Sequence, residues 1–240
     1  MAQLFYEEKN KAENKRRNNF VFLAYPYEPP IDKDAYNNVI KEFEDKYPIR
    51  MWYFSDEVTT NELMRKVWRA ILRADLAIFD ISGGNANVAL ELGLSLAVDK
   101  NCLTILKTGL DNPLGNADLS YAERIEYNSL KTLGEKIDSI VRKHTSIGRL
   151  IEQLADQLYH DSGYTKEEVF EKVRNIVQQI FIRKYVKKSE ACALISDKNL
   201  ANAIISLLKS NDVITLDGGK KSSKWKFTEN YVTKDFMVSL

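Results

Sequence analysis

The sequence predicts an α/β protein: a parallel, five-stranded sheet of the flavodoxin or Rossmann-like kind, followed by a helical segment and a winged helix-turn-helix. Short runs of β-forming residues alternate with longer segments of helical periodicity up to about residue 145, which is the rhythm of βα units. The run at 75–81 is apolar without alternation, as expected of a strand that helices cover on both faces. After this region the pattern changes to consecutive helices and one β-hairpin.

The first unit is expected at residues 18–145. Its first strand ends at Tyr-Pro-Tyr-Glu-Pro-Pro because proline cannot donate to a strand ladder. Thr60 has the side chain of a helix N-cap. Strands are predicted at Phe20–Ala24, 49–54, 75–81, 102–106 and Glu123–Tyr127, and helices at 34–47, 60–72, 85–98 and 129–143.

The second unit, residues 146–240, is expected to be helical up to about residue 188. Two short helices are predicted at Lys188–Ile195 and 197–209, and a hairpin at 213–216 and 224–228 around a Gly-Gly turn. Helices followed by a hairpin are the order of a winged helix-turn-helix. Residues 1–17 are polar and charged, and predict a solvated arm or a short helix.

Composition excludes some classes of partner. The 35 basic residues nearly balance the 34 acidic ones, so any attraction to nucleic acid or membrane must be local. Cys102 and Cys192 lie in apolar runs without metal-ligand spacing, as in proteins of a reducing compartment. No apolar run approaches the ~20 residues that span a bilayer, and residues 1–17 lack a signal-type apolar stretch. We therefore expect a cytoplasmic protein without a membrane partner.

The candidate site lies where the strands end, because open parallel sheets bind ligands outside their carboxyl ends. Glycines 83 and 84 permit positive φ and a close backbone approach, and the helix that follows offers free N–H groups to an anion or to sugar hydroxyls. Three segments reach this edge: the loop with Tyr25 and Tyr27, the run Asp80-Ile81-Ser82-Gly83-Gly84-Asn85, and Lys107-Thr108-Gly109.

Glu91 is the strongest candidate for chemistry. It lies between two leucines in an apolar helix, where a carboxylate costs free energy unless it has a partner or a function. Asn87, four residues earlier, shares its helix face. A local pairing of Glu91 stays open as an alternative, and Asp80 could equally serve to organise its loop.

Residues 74–97 read Ala-Asp-Leu-Ala-Ile-Phe-Asp-Ile-Ser-Gly-Gly-Asn-Ala-Asn-Val-Ala-Leu-Glu-Leu-Gly-Leu-Ser-Leu-Ala. This stretch resembles the nucleoside 2-deoxyribosyltransferase-like superfamily and the related TIR-like domains, and the likeness extends over about residues 20–143. The resemblance implies that Glu91 is the nucleophile that attacks the anomeric carbon of a nucleoside. The Tyr-Pro-Tyr-Glu-Pro-Pro loop departs from the family, whose transferases commonly have a small, glycine-containing loop there.

The resemblance also implies roles for the neighbouring residues. Asp80 would orient the sugar or the base, and Ser82 and Asn87 would bind hydroxyls. Gly83, Gly84 and Asn85 would form the loop around the substrate. Tyr25 and Tyr27 are assigned by position and not by the resemblance: at the mouth of the site either could hold the base, and surface packing on the neighbouring prolines stays open as the alternative.

The sequence therefore predicts an enzyme that cleaves or transfers an N-glycosidic bond in a nucleoside, nucleotide or NAD-like molecule, without a metal or cofactor. Small proteins that join such a domain to a winged helix resemble effectors of bacterial anti-phage systems. The alternative is a non-catalytic nucleotide sensor that reports through its winged helix. A dinucleotide-dependent dehydrogenase is disfavoured because no Gly-x-Gly-x-x-Gly follows the first strand, and a Ser–His hydrolase because His144 and His160 lie outside the site segments.

The predicted wing carries a local excess of basic side chains. Residues 164–240 contain 14 Lys or Arg and 9 Asp or Glu. Basic side chains on a wing can contact phosphates, but winged helices also dock proteins, and both readings stay open. We also expect a homo-oligomer or membership of a larger complex. The tentative nucleic-acid contacts are Lys220, Lys221, Lys224 and Lys226, with Lys198, Asn199 and Asn202 on the preceding helix.

Overall fold

A computed structural model of the chain describes residues 15–29, 31–53, 60–110, 123–217 and 224–236. Its strands are β1 (Phe20–Ala24), β2 (Arg50–Trp52), β3 (Leu76–Asp80), β4 (Cys102–Lys107), β5 (Glu123–Tyr127), β6 (Val186–Lys187), β7 (Ile214–Asp217) and β8 (Lys224–Phe227). Its α-helices are α1 (Lys33–Lys46), α2 (Thr60–Arg73), α3 (Ala86–Ala97), α4 (Leu130–His144), α5 (Ser146–Ser162), α6 (Lys166–Arg183), α7 (Lys188–Ile195) and α8 (Lys198–Ser210).

The first five strands form one parallel sheet in the order β2-β1-β3-β4-β5, which confirms the predicted α/β class. The central strand β3 pairs with β1 through Val21 and Leu76 and with β4 through Ala77 and Cys102, and it is buried throughout. In this order the connections leave β1 and β3 in opposite directions. Doubly wound sheets bind ligands at such a switch point, at the carboxyl ends of the two strands.

Helices cover both faces of the sheet, which explains why β3 is apolar on both sides. On one face, Val67 and Ile71 of α2 and Val88 of α3 pack in one cluster with Phe22 and Phe79. On the other face, α1 and α4 pack on β1, β3 and β4, and the same cluster continues without interruption through α5–α8 to β8.

The predicted elements differ from the structure mainly at their ends. The second strand was expected at 49–54 and covers Arg50–Trp52, and residues 54–59 lie outside the described part. Thr60 is the first residue of α2 rather than the residue before it. Residues 1–14 of the predicted arm also lie outside the described part. Arg16, at the arm's end, pairs with the buried carboxylate of Asp75.

The second unit contains a small antiparallel sheet in the order β6-β8-β7. The predicted hairpin is confirmed, since Ile214 pairs with Phe227 and Asp217 with Lys224. The two-residue strand β6 was not predicted; it joins the hairpin by pairing Val186 with Trp225. No helix in the described part of the chain is long and apolar enough to cross a bilayer.

The two units are joined by hydrogen bonds as well as by the shared core. The Asn19 amide donates to the Val232 carbonyl and accepts from the Val232 N–H, both at 2.8 Å. The Gln178 amide on α6 donates to the carbonyls of Glu44 and Asp45, each at 2.9 Å. The described residues after β8 therefore return to the edge of the first unit.

Candidate active site

Asp80 occupies the carboxyl end of β3 and is completely buried. Its Oδ1 accepts hydrogen bonds from the Ser82 N–H at 3.0 Å and from the Ser82 hydroxyl, and its Oδ2 accepts from the Tyr127 hydroxyl at 2.7 Å. Burial raises the pKa of Asp80, while the hydrogen bonds from Ser82 and Tyr127 oppose that rise. With both oxygens engaged, Asp80 is suited to organise the loop, which is the alternative the sequence left open.

Ser82 connects the ends of two neighbouring strands. Its hydroxyl donates to Asp80 and accepts from the Lys107 N–H at 2.7 Å, at the end of β4. The side chain is 1% exposed. The Ser82 hydroxyl therefore already donates one hydrogen bond and accepts another inside the protein, which argues against the predicted contact with a sugar hydroxyl.

The two glycines shape an open loop after β3. Gly83 and Gly84 have φ of 70° and 66°, the left-handed region that the sequence predicted for them. A side chain added at Gly83 would meet no atom within 4 Å, so its backbone borders open space. The loop can therefore be approached by a ligand on this side.

The first turn of α3 is less available to an anion than predicted. The Asn85 side chain is the N-cap and accepts from the N–H groups of Asn87, at 3.0 Å, and Val88, at 3.2 Å. The N–H groups at this helix start were predicted to bind a ligand. The Asn85 side chain already accepts hydrogen bonds from two of them. The Asn87 side chain itself is exposed on this turn.

The two tyrosines of the first loop have different surroundings. Tyr25 is 1% exposed and stacks on Tyr36 of α1, with ring centroids 4.2 Å apart. Tyr27 is half-buried, lies edge-on to Tyr25 at 5.0 Å, and has the Lys33 ammonium over its ring. Tyr25 is thus part of the core, and Tyr27 is the more accessible of the two.

Glu91 is half-buried in the second turn of α3, on the flank of the side that packs on the sheet. Helical side chains lean toward the helix N-terminus, which for α3 is the carboxyl edge of the sheet. Burial raises the pKa of Glu91 from 4.5 to about 7. No hydrogen bond or ion pair joins Glu91 to another described residue, so the local pairing left open by the sequence is not seen there.

Sequence reasoning missed two tyrosines that surround Asp80. Tyr127 ends β5 and donates to Asp80, and the buried Tyr36 hydroxyl lies close to the same carboxyl group without meeting the geometry of a hydrogen bond. The position of Tyr127 at the carboxyl end of the fifth strand was a usable signal. No such signal marked Tyr36, because a tyrosine on the buried side of a helix is usually an ordinary core residue.

The four predicted wing lysines belong to the second unit, far along the chain from the strands and helices that form the candidate site. Lys224 and Lys226 are on β8, and Lys220 and Lys221 lie outside the described residues. Within the described ranges, no group of His, Cys, Asp and Glu side chains could hold a metal ion.

The fold and the site define a doubly wound α/β protein in which the half-buried carboxylate of Glu91 has no partner among the described residues and lies in the helix that follows the switch-point strand β3. Comparison with known proteins adds no family to this class, since no family model and no curated protein matches the sequence.

Proposed function

We propose that the protein cleaves or transfers the N-glycosidic bond of a nucleoside, nucleotide or NAD-like molecule. The protein would then be one of the nucleoside deoxyribosyltransferase-like and TIR-like proteins. Residues 74–97 resemble their pattern, with Asp80 at the position of the family's strand-end Asp and Glu91 at that of its helical Glu. The observation that carries it is Glu91: a half-buried carboxylate with a pKa of about 7 and no described partner, in the second turn of the helix that follows the open glycine loop. Perturbed carboxylates in such positions are typical of catalytic groups.

In the proposed reaction a Glu91 oxygen attacks the anomeric carbon while the bond from that carbon to the base nitrogen breaks. The base leaves with the electron pair of that bond, and water or a second base then displaces Glu91 from the sugar. Retaining glycosidases divide their reaction in the same way. At neutral pH a pKa of about 7 keeps a large fraction of Glu91 ionised and gives the carboxylate high basicity.

The other residues are assigned supporting roles. Asp80 positions the loop through Ser82 and ties it to β5 through Tyr127. Tyr27 is the proposed contact for the base, and the exposed Asn87 the proposed contact for a sugar hydroxyl. No step requires a metal or a cofactor.

The test is incubation with a panel of nucleosides, nucleotides and NAD, followed by chromatography for the released base. Glu91→Gln keeps size and polarity but removes the charge, and should lower turnover at least ~10²-fold while the protein stays folded. Glu135→Gln, an exposed position on α4, is the matched control and should retain activity. A folded and fully active Glu91→Gln protein would rule out this mechanism and make Asp80 the next carboxylate to test.

The second candidate is a nucleotide sensor without catalysis. It is favoured by the direct attachment of the second unit to the first through Gln178 and Asn19, which offers a route for a signal. A sensor would bind a nucleotide and release no base, and Glu91→Gln would leave that binding intact. Calorimetry with the same panel separates the two candidates.

For the second unit we propose a winged helix-turn-helix. The order α6, β6, α7, α8, β7, β8 with an antiparallel β6-β8-β7 sheet supports this assignment. We further propose that the protein acts in the cytoplasm, as an anti-phage effector.

Two exposed leucines on α3 support self-association. Leu90 is 52% exposed and Leu96 is 41% exposed on a helix that is apolar around most of its surface, and such helices are normally covered. Light scattering should therefore give a mass above that of one chain, and Leu90→Ser with Leu96→Ser should reduce it. A monomeric wild-type protein would contradict this proposal.

A further inference from the structure

The small sheet β6-β8-β7 has two chemically different faces. Directly opposite residues of antiparallel strands share a face, so the pairing assigns each side chain. Val186, Ile214 and Phe227 point into the core and are buried. The other face, which we call the basic face, carries Tyr185, Lys187, Thr215, Asp217, Lys224 and Lys226.

The basic face contains pairings that folding alone does not favour. Lys187 of β6 lies directly opposite Lys224 of β8, and like charges in this relation are destabilising. Lysine is also a poor strand former, yet the central strand presents two lysines on this face. Asp217 lies directly opposite Lys224 and its carboxylate pairs with Lys226 at 3.0 Å, so among the described residues of this face one acidic side chain faces three lysines and the net charge is positive.

An aromatic ring completes the basic face. Tyr185 precedes Lys187 by two residues, so both extend to the same side of the sheet. The Lys224 ammonium lies 4.0 Å from the centre of the Tyr185 ring, and Tyr185 remains 39% exposed. An exposed ring among cations on a sheet is the arrangement on which single-stranded nucleic acids stack their bases.

We propose that the basic face binds single-stranded nucleic acid, with Lys187 and Lys224 on the phosphodiester backbone and Tyr185 stacked on a base. The alternative anionic partner is a membrane surface. The face offers no exposed aliphatic side chain to insert among lipids, whereas a stacking ring beside paired lysines matches an alternating base and phosphate chain. The inference rests on the proposed arrangement of the second unit and not on the chemistry of Glu91.

The experiment measures the fluorescence anisotropy of a labelled single strand of mixed sequence, and of its duplex, at several salt concentrations. The wild-type protein should bind the single strand more tightly, and binding should weaken with salt. The double variant Lys187→Gln, Lys224→Gln should lose affinity about tenfold at low salt and flatten the salt slope by about 1.4, which is two phosphate contacts. Tyr185→Ala should weaken single-strand binding about fivefold or more and duplex binding little.

A matched control removes the same charge elsewhere: Lys41→Gln with Lys131→Gln, exposed on α1 and α4, should bind as the wild type does. Glu91→Gln should also bind normally, which keeps this result separate from the proposed reaction. No binding, equal loss in the control, or binding only to phosphatidylserine vesicles would overturn the inference. A Tyr185→Ala protein with unchanged affinity would overturn the stacking role.

Discussion

Replacement of Glu91 by glutamine is expected to stabilise the protein, and more strongly as the pH rises. Burial raises the pKa of Glu91 from 4.5 to about 7, so the folded protein retains a proton that the unfolded chain has already released. The stability that this proton provides is complete below a pH of about 4.5 and is lost as the pH rises through about 7. Glutamine is neutral throughout and avoids that loss.

The magnitude follows from the two pKa values. Each tenfold change in proton affinity corresponds to about 1.4 kcal/mol, so moving from 4.5 to about 7 corresponds to about 3 kcal/mol at alkaline pH. Glu91 retains part of its surface in water, and screening reduces the expected gain to about 1–2 kcal/mol. In a chain of this size that gain raises Tm by about 2–8 °C.

The assay is thermal unfolding of wild type, Glu91→Gln and the exposed control Glu135→Gln at pH of about 5, 6.5 and 8. The difference in Tm between Glu91→Gln and wild type should widen with pH, while the control follows the wild type. A difference that is constant across this range, or a glutamine variant less stable than wild type at the highest pH, would refute the reasoning from burial.

Three further predictions concern the site and its support. If Glu91 is the nucleophile, kcat/KM should rise with pH and level off above about 7, because the free enzyme must be ionised there; a decrease over that range would exclude this role. Tyr127→Phe removes a donor from the buried Asp80 carboxylate and should cost about 1–3 kcal/mol in urea unfolding, and an unchanged midpoint would show that this bond is not needed. Gly148→Ala should cost about 3 kcal/mol or more, since a Cβ there would lie 2.0 Å from the Val141 carbonyl oxygen, and a variant as stable as wild type would contradict that clash.

The elements that sequence reasoning located share strong local signals. β3 is an unbroken apolar run, and α3 follows two glycines and a capping asparagine, so each was placed to within one residue. The strand β6 has only two residues and exists because β8 pairs with it, a contact about 40 residues distant that no local pattern encodes. The close approach of Gly148 to Val141 and Arg142 depends on how α5 turns back against the end of α4, which the residue pattern does not specify.

The candidate site was harder to read than the fold, because sequence shows which groups are present and not which are already used. The Asn85 cap and the Ser82 hydroxyl were both assigned to a ligand, yet each is spent on the protein's own N–H groups or carboxylate. Tyr25 was likewise predicted to contact a ligand and is buried, because a loop has no periodicity that separates a buried ring from an exposed one. Glu91 was recognisable because its anomaly, a charge in an apolar helix, is itself local.

Asp80 and Glu91 illustrate how two carboxylates near one sheet edge acquire different roles. Asp80 is completely buried but receives hydrogen bonds from Ser82 and Tyr127, so its carboxyl group links the ends of β3, β4 and β5. Glu91 is less buried and has no such described donors, so its desolvation is not offset. The two carboxyl groups therefore differ in what the protein already uses: both oxygens of Asp80 accept hydrogen bonds, whereas Glu91 has no bond to another described residue. Asp80 and the Asn85 cap hold the start of α3, and no bond from Glu91 to another described residue adds to that anchoring, as the proposed role of Glu91 as nucleophile requires.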